Sequence, residues 1–385
     1  MTALSRTVAG IEGTEKETLI KAVDFFTQRI SKKTQFLFVR VSMFNGAQGW
    51  GEATFNSLNE QVLVALRQLS SIIADQSIAT GLSILGLLPN WKSGRASLIG
   101  VNALQCALLD VLAQMRDLPL YAVLGKKLRD HVPCYANINR GTKTREPHGW
   151  ADRAQAAVNA GFPAVKLAPF DKISLGLDGI SVGDATMGLE CAHAVKDTIG
   201  VDAELMLDCH WGFDEQRAED LLHACADLDL KWIEAPILED ALAIPSLNAL
   251  KKIAEENGTK LAGGEFLSGV RAFAPFLHAK AFHVMNPDPR FCGVMDMSDI
   301  AMTAAKFGVQ IAPHNHLGPI MTAASLHIAA IAPSALTIEL QFAEGDEPPC
   351  VEKPDLLKPQ NGRIQVPTDA GLGIAIQTSM LCHVQ

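Results

Sequence analysis

Three acidic residues, each closing a short apolar run, restrict the folds open to this chain more than any other feature. They are Asp208 after Glu204-Leu205-Met206-Leu207, Glu234 after Lys231-Trp232-Ile233, and Glu265 after Lys260-Leu261-Ala262-Gly263-Gly264, spaced 26 and 31 residues apart. Each run reads as a buried strand whose final residue is a carboxylate. A strand and its following helix in a (β/α)₈ barrel take roughly 25–30 residues, and the strand C-termini converge on one mouth. Three carboxylates meeting there repel one another unless a cation sits between them, and ligation by oxygen alone suits a hard ion such as Mg²⁺. A single acid in such a place is as readily a cap on the next helix. Three in succession at barrel spacing point to a metal centre.

From about residue 130 onward, apolar runs alternate with helical patterns. Strands are predicted near 132–139, 163–168, 203–208, 231–236, 260–265, 281–288, 308–314 and 335–341, with amphipathic helices between them such as Asp214 to Ala226 and Leu247 to Asn257. The second of these helices stops before Gly258, as helices tend to. Strand–helix alternation implies a parallel sheet with right-handed crossovers, and eight strands favour closure into a barrel over an open doubly wound sheet. The wide gap between the second and third strands, from Asp171-Lys172-Ile173-Ser174 to Gly183-Asp184, predicts a long loop over the mouth.

The first ~125 residues follow a different pattern. Thr34 to Ser42 is extended, with Phe36, Phe38 and Arg40 on one face and Leu37, Val39 and Val41 on the other. A turn at Asn45-Gly46, a second strand through Trp50, Gly51 and Glu52, and helices including Ala103 to Met115 make a separate α+β module. Beyond the eighth strand, Pro348-Pro349, Pro354 and Pro359 mark an irregular tail, in which a strand at Arg363 to Val366 is expected to return to the N-terminal module. The expected organisation is a capping domain over residues 1–128, joined by the tail 343–385, and a barrel over 129–342.

Composition narrows the functions. A length of 385 residues with 48% hydrophobic content fills a barrel and a second module. The net charge of −9, without a Lys/Arg cluster, argues against a nucleic-acid partner, and no run of about 18 uncharged apolar residues suggests a membrane span. The segment Met1-Thr2-Ala3-Leu4-Ser5-Arg6 lacks the pattern of a signal peptide. The eight cysteines are scattered, with no C-x-x-C pair, which favours reduced thiols in a cytoplasmic setting.

Several motifs in fixed order carry a resemblance. The helix Ala103-Leu104-Gln105-Cys106-Ala107-Leu108-Leu109-Asp110 leads to Leu118-Pro119-Leu120-Tyr121 and Leu124-Gly125. Trp232-Ile233-Glu234-Ala235-Pro236, Asn286-Pro287-Asp288 with Cys292-Gly293, and Ala312-Pro313-His314 with Gly318-Pro319 follow. Together they resemble the enolase superfamily, in the mandelate racemase subgroup, almost end to end. The resemblance implies an α+β capping domain over a modified TIM barrel, (β/α)₇β. It also implies Mg²⁺-assisted removal of the proton α to a carboxylate, a very weakly acidic proton.

Residue by residue, the resemblance makes Asp208, Glu234 and Glu265 the Mg²⁺ ligands and His314, held by Asp288, the general base. His210, two residues after Asp208 and on the same side if the strand continues, resembles the general acid of galactonate and mannonate dehydratases, which protonates the departing hydroxide. Glu339 resembles the glutamate that hydrogen-bonds the substrate carboxylate, and an acid beside a carboxylate is expected to have a raised pKa. Arg140 offers a bidentate contact to a substrate carboxylate, with an ordinary surface role as the equal alternative. Lys166 is the first lysine of the subgroup's Lys-x-Lys pair, whose second position is Ala168 here. The second base is therefore missing, which disfavours two-sided racemisation and leaves Lys166 to bind a carboxylate or hydroxyl, or to act structurally.

The expected activity is dehydration of an acid sugar, an aldonate or aldarate, to a 2-keto-3-deoxy acid. The alternative is a racemase or epimerase of a 2-hydroxy acid. Cycloisomerisation is disfavoured because Asp288 stands where members with that chemistry carry lysine, and intact ligands and dyad argue against a non-catalytic member. The expected partner is a small acid-sugar substrate, without nucleic acid or membrane, and a homo-oligomer is expected. Specificity is assigned to Phe44–Gly49, Thr54–Asn59 and the long loop after Lys166. The first two of these hold no charge that would declare a second substrate carboxylate.

Overall fold

The computed structural model describes residues 18–88, 94–345 and 350–384; the segment 1–6 and Pro348-Pro349, on which expectations above rest, lie outside them. The N-terminal part is an antiparallel sheet of β1 (Ile20–Arg29), β2 (Gln35–Met43) and β3 (Gln48–Glu52). Phe26 stands opposite Phe38 across β1 and β2, and Phe38 opposite Glu52 across β2 and β3. The β2–β3 turn passes through Gly46 at φ +89°, a conformation glycine adopts without a Cβ clash. Four helices follow: α1 (Asn59–Ile73), α2 (Ile78–Leu87), α3 (Gly94–Met115) and α4 (Leu120–Leu124). Helix α3 packs closely on β3. A Cβ at Gly49 would stand 2.2 Å from the Ala107 carbonyl oxygen and one at Gly51 2.0 Å from that of Ala103, so strand and helix backbones approach where side chains are absent. By length and composition α3 could cross a membrane, but 89% of its most apolar stretch is buried in the fold.

The second part alternates strand and helix, with one small hairpin inserted. Its elements are β4 (His131–Asn137), α5 (Pro147–Asn159), β5 (Ala164–Leu167), a small hairpin of β6 (Ser174–Leu175) and β7 (Ser181–Val182), α6 (Thr186–Ile199), β8 (Glu204–Asp208), α7 (Glu215–Ala224) and β9 (Leu230–Glu234). They continue with α8 (Ile244–Glu256), β10 (Lys260–Gly263), α9 (Gly269–Ala279), β11 (Val284–Met285), α10 (Pro289–Phe307), β12 (Gln310–Ile311), α11 (Pro319–Ile331) and β13 (Ile338–Gln341). The strands run in the order β12-β11-β10-β9-β8-β5-β4-β13. The ring is joined where Ile311 N donates to the Ser334 carbonyl at 3.0 Å and Leu336 N to that of Ile311 at 2.8 Å. Among the described residues, seven barrel strands are followed by an α-helix and the eighth is not, which is the (β/α)₇β pattern. The barrel interior holds one apolar side chain from each strand line: Tyr135, Ala164, Met206, Trp232, Ala262, Val284 and Ala312, with Leu336 packed against them.

The tail departs from expectation. Strand β14 (Arg363–Gln365) pairs antiparallel with β4, so it lies on the barrel and does not return to the N-terminal sheet. The reason is register. Residues 134–137 of β4 are paired with β13, while 131–133 extend below that pairing and need another partner, which β14 supplies. The return to the N-terminal sheet is made by β15 (Cys382–Val384), where Phe25 pairs with Val384.

Candidate active site

Strand alternation builds the site. Side chains two apart share a face of a strand, so a step of two from the apolar interior layer points inward again, nearer the C-terminal mouth. From Tyr135, Ala164, Met206, Trp232, Val284 and Ala312 that step lands on Asn137, Lys166, Asp208, Glu234, Asn286 and His314, all buried. On β10 the step lands on Gly264, whose φ of +101° turns the chain, and the carboxylate is carried one residue later by Glu265.

Asp208, Glu234 and Glu265 each offer an oxygen within 4.8 Å of the others, and all three are buried. Glu265 Oε2 makes no hydrogen bond. Buried carboxylates with an oxygen left unpaired fit a hard divalent cation, and these three residues would hold it. Lys166, wholly buried, places its Nζ 2.8 Å from Glu234, 3.2 Å from Glu339 and 3.8 Å from Asp208. Burial pushes the Lys166 ammonium down, but Glu234 and Glu339 outweigh it and hold the group well above its ordinary value. Burial raises Glu234 to about 7 against the pull of Lys166, and raises Glu265 against that of His314. Asp208 is equally buried, yet His210 and Lys166 hold it well below the carboxylate range.

His314 Nδ1 lies 2.9 Å from Asp288 Oδ2. Arg290 grips the same carboxylate, with Nε 3.0 Å from both oxygens and Nη2 2.5 Å from Oδ2. Burial works against ionisation of Asp288, but Arg290 and His314 prevail and bring it to about 2. An anionic Asp288 accepts a hydrogen bond from Nδ1–H and leaves Nε2 of His314 facing the site. That Nε2 is 3.0 Å from Glu265 Oε2 and 3.7 Å from Glu339 Oε2. Burial lowers the proton affinity of His314, while Glu265, Glu339 and Asp288 outweigh it and bring it to about 9; a cation on Glu265 would withdraw the largest of these pulls and free Nε2 to accept a proton.

Glu339 accepts from Asn137 Nδ2 at 2.5 Å and from the Asn315 backbone at 3.1 Å. Its carboxyl is held below its ordinary value despite burial, because Lys166 and His314 stand beside it. This reverses the expected rise: the protein's own lysine supplies the positive charge that a proton was expected to supply.

His210 also arrives differently from expectation. Strand β8 ends at Asp208, and His210 and Trp211 both take left-handed backbone angles, φ +46° and +56°. Such residues cost on the order of 1–2 kcal/mol each, offset here by Trp211 N donating to the Ala235 carbonyl at 2.7 Å and Phe213 N to that of Pro236 at 3.1 Å. The turn, rather than strand alternation, brings the His210 ring Nε2 to 3.0 Å from Asp208 Oδ2. The ring is more than half exposed, and Asp208 beside it raises His210 to about 9.

Arg140 is committed elsewhere. Its Nη1 meets Thr34 Oγ1 at 3.1 Å, Glu344 Oε2 at 3.4 Å and the His316 carbonyl at 3.5 Å, along the seam between cap and barrel. Ala168 offers the site no base, its N–H being bound to Asn139 and its carbonyl to Arg145. Of the predicted specificity segments, Phe55 reaches the barrel, with its ring 5.8 Å from that of Phe291. That contact continues to Phe266 and on to Trp211, with Arg95 of α3 over the Phe266 ring at 4.5 Å. Gly46, Ala47 and Gln48 instead face the tail, lining a cavity of about 530 Å³ with Glu352, Lys353 and Ile374. The β6–β7 hairpin docks beside the His210 turn through Ser181 N to Asp214 Oδ2 at 2.8 Å. Sequence inspection missed Arg290, Asn137 and His316. The two-residue step from Asp288 to Arg290 and from His314 to His316 was the available signal.

The comparisons with known proteins agree with this architecture. Residues 14–125 match the mandelate racemase / muconate lactonizing enzyme N-terminal domain, and residues 149–380 the enolase C-terminal domain-like family. A D-xylonate dehydratase of Haloferax volcanii is 25% identical over 92% of this chain and 86% of its own length. A D-galactonate dehydratase of Cronobacter sakazakii is 25% identical over 89% of each chain. The solved structure of a mandelate racemase/muconate lactonizing enzyme from a Jannaschia species superposes with a TM-score of 0.79 at 24% identity, covering 94% of this chain and 96% of that one. A member of the enolase superfamily from Salmonella Typhimurium gives 0.78 at 22% identity, over 95% of this chain and 100% of that one. With both domains matched and the barrel closed, the chain belongs to the mandelate racemase / muconate lactonizing enzyme family of the enolase superfamily.

Proposed function

We propose that the protein is an Mg²⁺-dependent dehydratase of an acid sugar, an aldonate or aldarate, releasing a 2-keto-3-deoxy acid. The observation that carries this reading is the pair of histidines at the carboxylate trio: His314, braced by Asp288, against Glu265, and His210 against Asp208. Elimination of water needs a base for the α-proton and an acid for the hydroxide, and the site holds one imidazole for each. Mg²⁺ held by Asp208, Glu234 and Glu265 would offset the negative charge that grows on the substrate carboxylate as the proton leaves. His314 Nε2 takes that proton. Lys166 and Glu339 meet the substrate carboxylate, the ammonium making an anion tolerable among so many acids. His210 gives its proton to the departing hydroxyl. Arg140 holds the backbone of the His316 segment and is not assigned to substrate. Relatives named for dehydration of sugar acids support the reading, and Ala168, where a second base would stand, speaks against racemisation.

The test is a panel of aldonates and aldarates with Mg²⁺, followed for keto-acid formation, with His210→Asn alongside. Loss of the acid should slow water loss by roughly 10²–10⁴-fold, while deuterium still enters C2 of unreacted substrate in D₂O through His314. Deuterium uptake by the wild type without water loss would favour the racemase reading instead.

A further inference from the structure

His316 follows His314 by two residues and shares its space. Its Nδ1 lies 3.2 Å from His314 Nε2, and the two rings meet edge to face with centroids 4.7 Å apart. That Nε2 is the nitrogen the Asp288 bond leaves for proton abstraction. His314 is only 5% exposed, whereas His316 is half-buried, and the Nε2 of His316 makes no hydrogen bond among the described residues. Its backbone is anchored by Arg140 Nη1 at the carbonyl.

The chemistry gives this contact a task. When His314 takes the α-proton and His210 gives one up, the turnover ends with a surplus proton on one ring and a deficit on the other. His314 Nδ1 is tied to Asp288, so a proton gained at Nε2 has to leave from that same nitrogen, which His316 faces. Burial, then Arg290 and Arg140, keep His316 well below the ordinary imidazole value, so its ring rests neutral and does not retain a proton it receives.

We propose that His316 is the proton exit of the site, receiving the α-proton from His314 Nε2 at its own Nδ1 and releasing a proton from its Nε2 to water. This rests on the dehydratase reading. The step balances: the His314 Nε2–H bond breaks as the His316 Nδ1–H bond forms, the His316 Nε2–H proton passes to water, and exchange with water restores the starting tautomer. No electrons change hands. Because the proton leaves after the carbon–hydrogen and carbon–oxygen bonds have broken, the exit limits kcat and not kcat/KM.

The experiment uses the Mg²⁺-loaded enzyme, the acid sugar the wild type dehydrates fastest, and the variants His316→Gln and His316→Ala in weak buffer. Glutamine keeps the volume and hydrogen bonding but carries no proton, and thermal melts of both variants report folding. The relay predicts that kcat falls about tenfold or more in each, that kcat/KM stays within about twofold, and that added imidazole restores kcat of His316→Ala with saturation. Unchanged kcat, or an equal fall of kcat and kcat/KM without imidazole rescue, overturns the relay and leaves the ring a brace for His314. If the wild type dehydrates nothing on the panel, the dehydratase reading falls and takes the relay with it.

Discussion

At the scale of single residues, Lys166 decides how the interior tolerates its acids. It is wholly buried against Glu234, Glu339 and Asp208, and breaking a buried pair by removing one partner costs about 3–5 kcal/mol. Lys166→Met should therefore lower the stability of the chelated protein by roughly that amount, and Mg²⁺ should return much of it; calorimetric melts with and without chelator check this, and equal losses in both forms would mean that lysine and cation do not share the role. The wild type should stay folded without metal but inactive. His314→Asn should lose both keto-acid formation and deuterium uptake at C2, and uptake at the native rate by NMR would place the base elsewhere, with Lys166 the first suspect. The sequence could place Asp208, Glu234 and Glu265 because each ends an apolar run, and Asp288 and His314 through the motifs that resemble the subgroup's dyad. It could not show the turn at His210, since a left-handed backbone has no composition cue when neither residue is glycine. Nor could it show the sign of the Glu339 shift, which depends on a lysine more than 170 positions away in sequence.

Among the elements, the contact between strand β3 and helix α11 depends on pH. Glu52, at the end of β3, accepts from Gly318 N at 2.7 Å and Met321 N at 3.2 Å, so a cap residue closes the open N-terminus of a barrel helix. Burial raises its carboxyl to about 7 even though these donors pull it down. A carboxyl whose folded pKa exceeds its unfolded value binds protons more tightly when folded, so its contribution is full below about pH 4.5 and is lost as pH rises toward 7. Glu52→Gln should gain stability relative to wild type over that window by roughly 3 kcal/mol, measured by urea unfolding at pH 4.5 and 7.5. A difference that does not change with pH would show that Glu52 is ionised throughout. The barrel strands were legible because fully buried strands read as continuous apolar runs. Strand β1 went unread because Lys21, Asp24, Gln28 and Arg29 interrupt its apolar face. The tail strand at Arg363 was visible as a strand, but its partner was not, since pairing depends on which backbone groups β4 leaves open.

Across the whole molecule, cap, barrel and tail are tied by a few polar contacts between distant residues. Asn102 of α3 donates to the Arg290 carbonyl at 2.7 Å, and Asp110 accepts from Trp50 N at 2.8 Å and Leu372 N at 2.7 Å. The N-terminal sheet is completed by β15, where Phe26 faces His383. His383→Pro removes a backbone donor from that strand and should speed amide exchange along Phe25–Thr27 by at least about tenfold, the factor that about 1.4 kcal/mol of local opening gives; barrel amides should be unaffected, and protection of β1 at the native level would mean that β15 adds nothing to the sheet. The same pairing sets an order of events during synthesis. At roughly 5–20 residues per second, β1 leaves the ribosome tens of seconds before Val384 is made, and its outer edge stays unsatisfied for all of that time. A strand carrying Phe25 and Phe26 with one edge open is a site for mispairing between nascent chains, so the yield of folded protein should depend on how fast the ribosome reaches the tail.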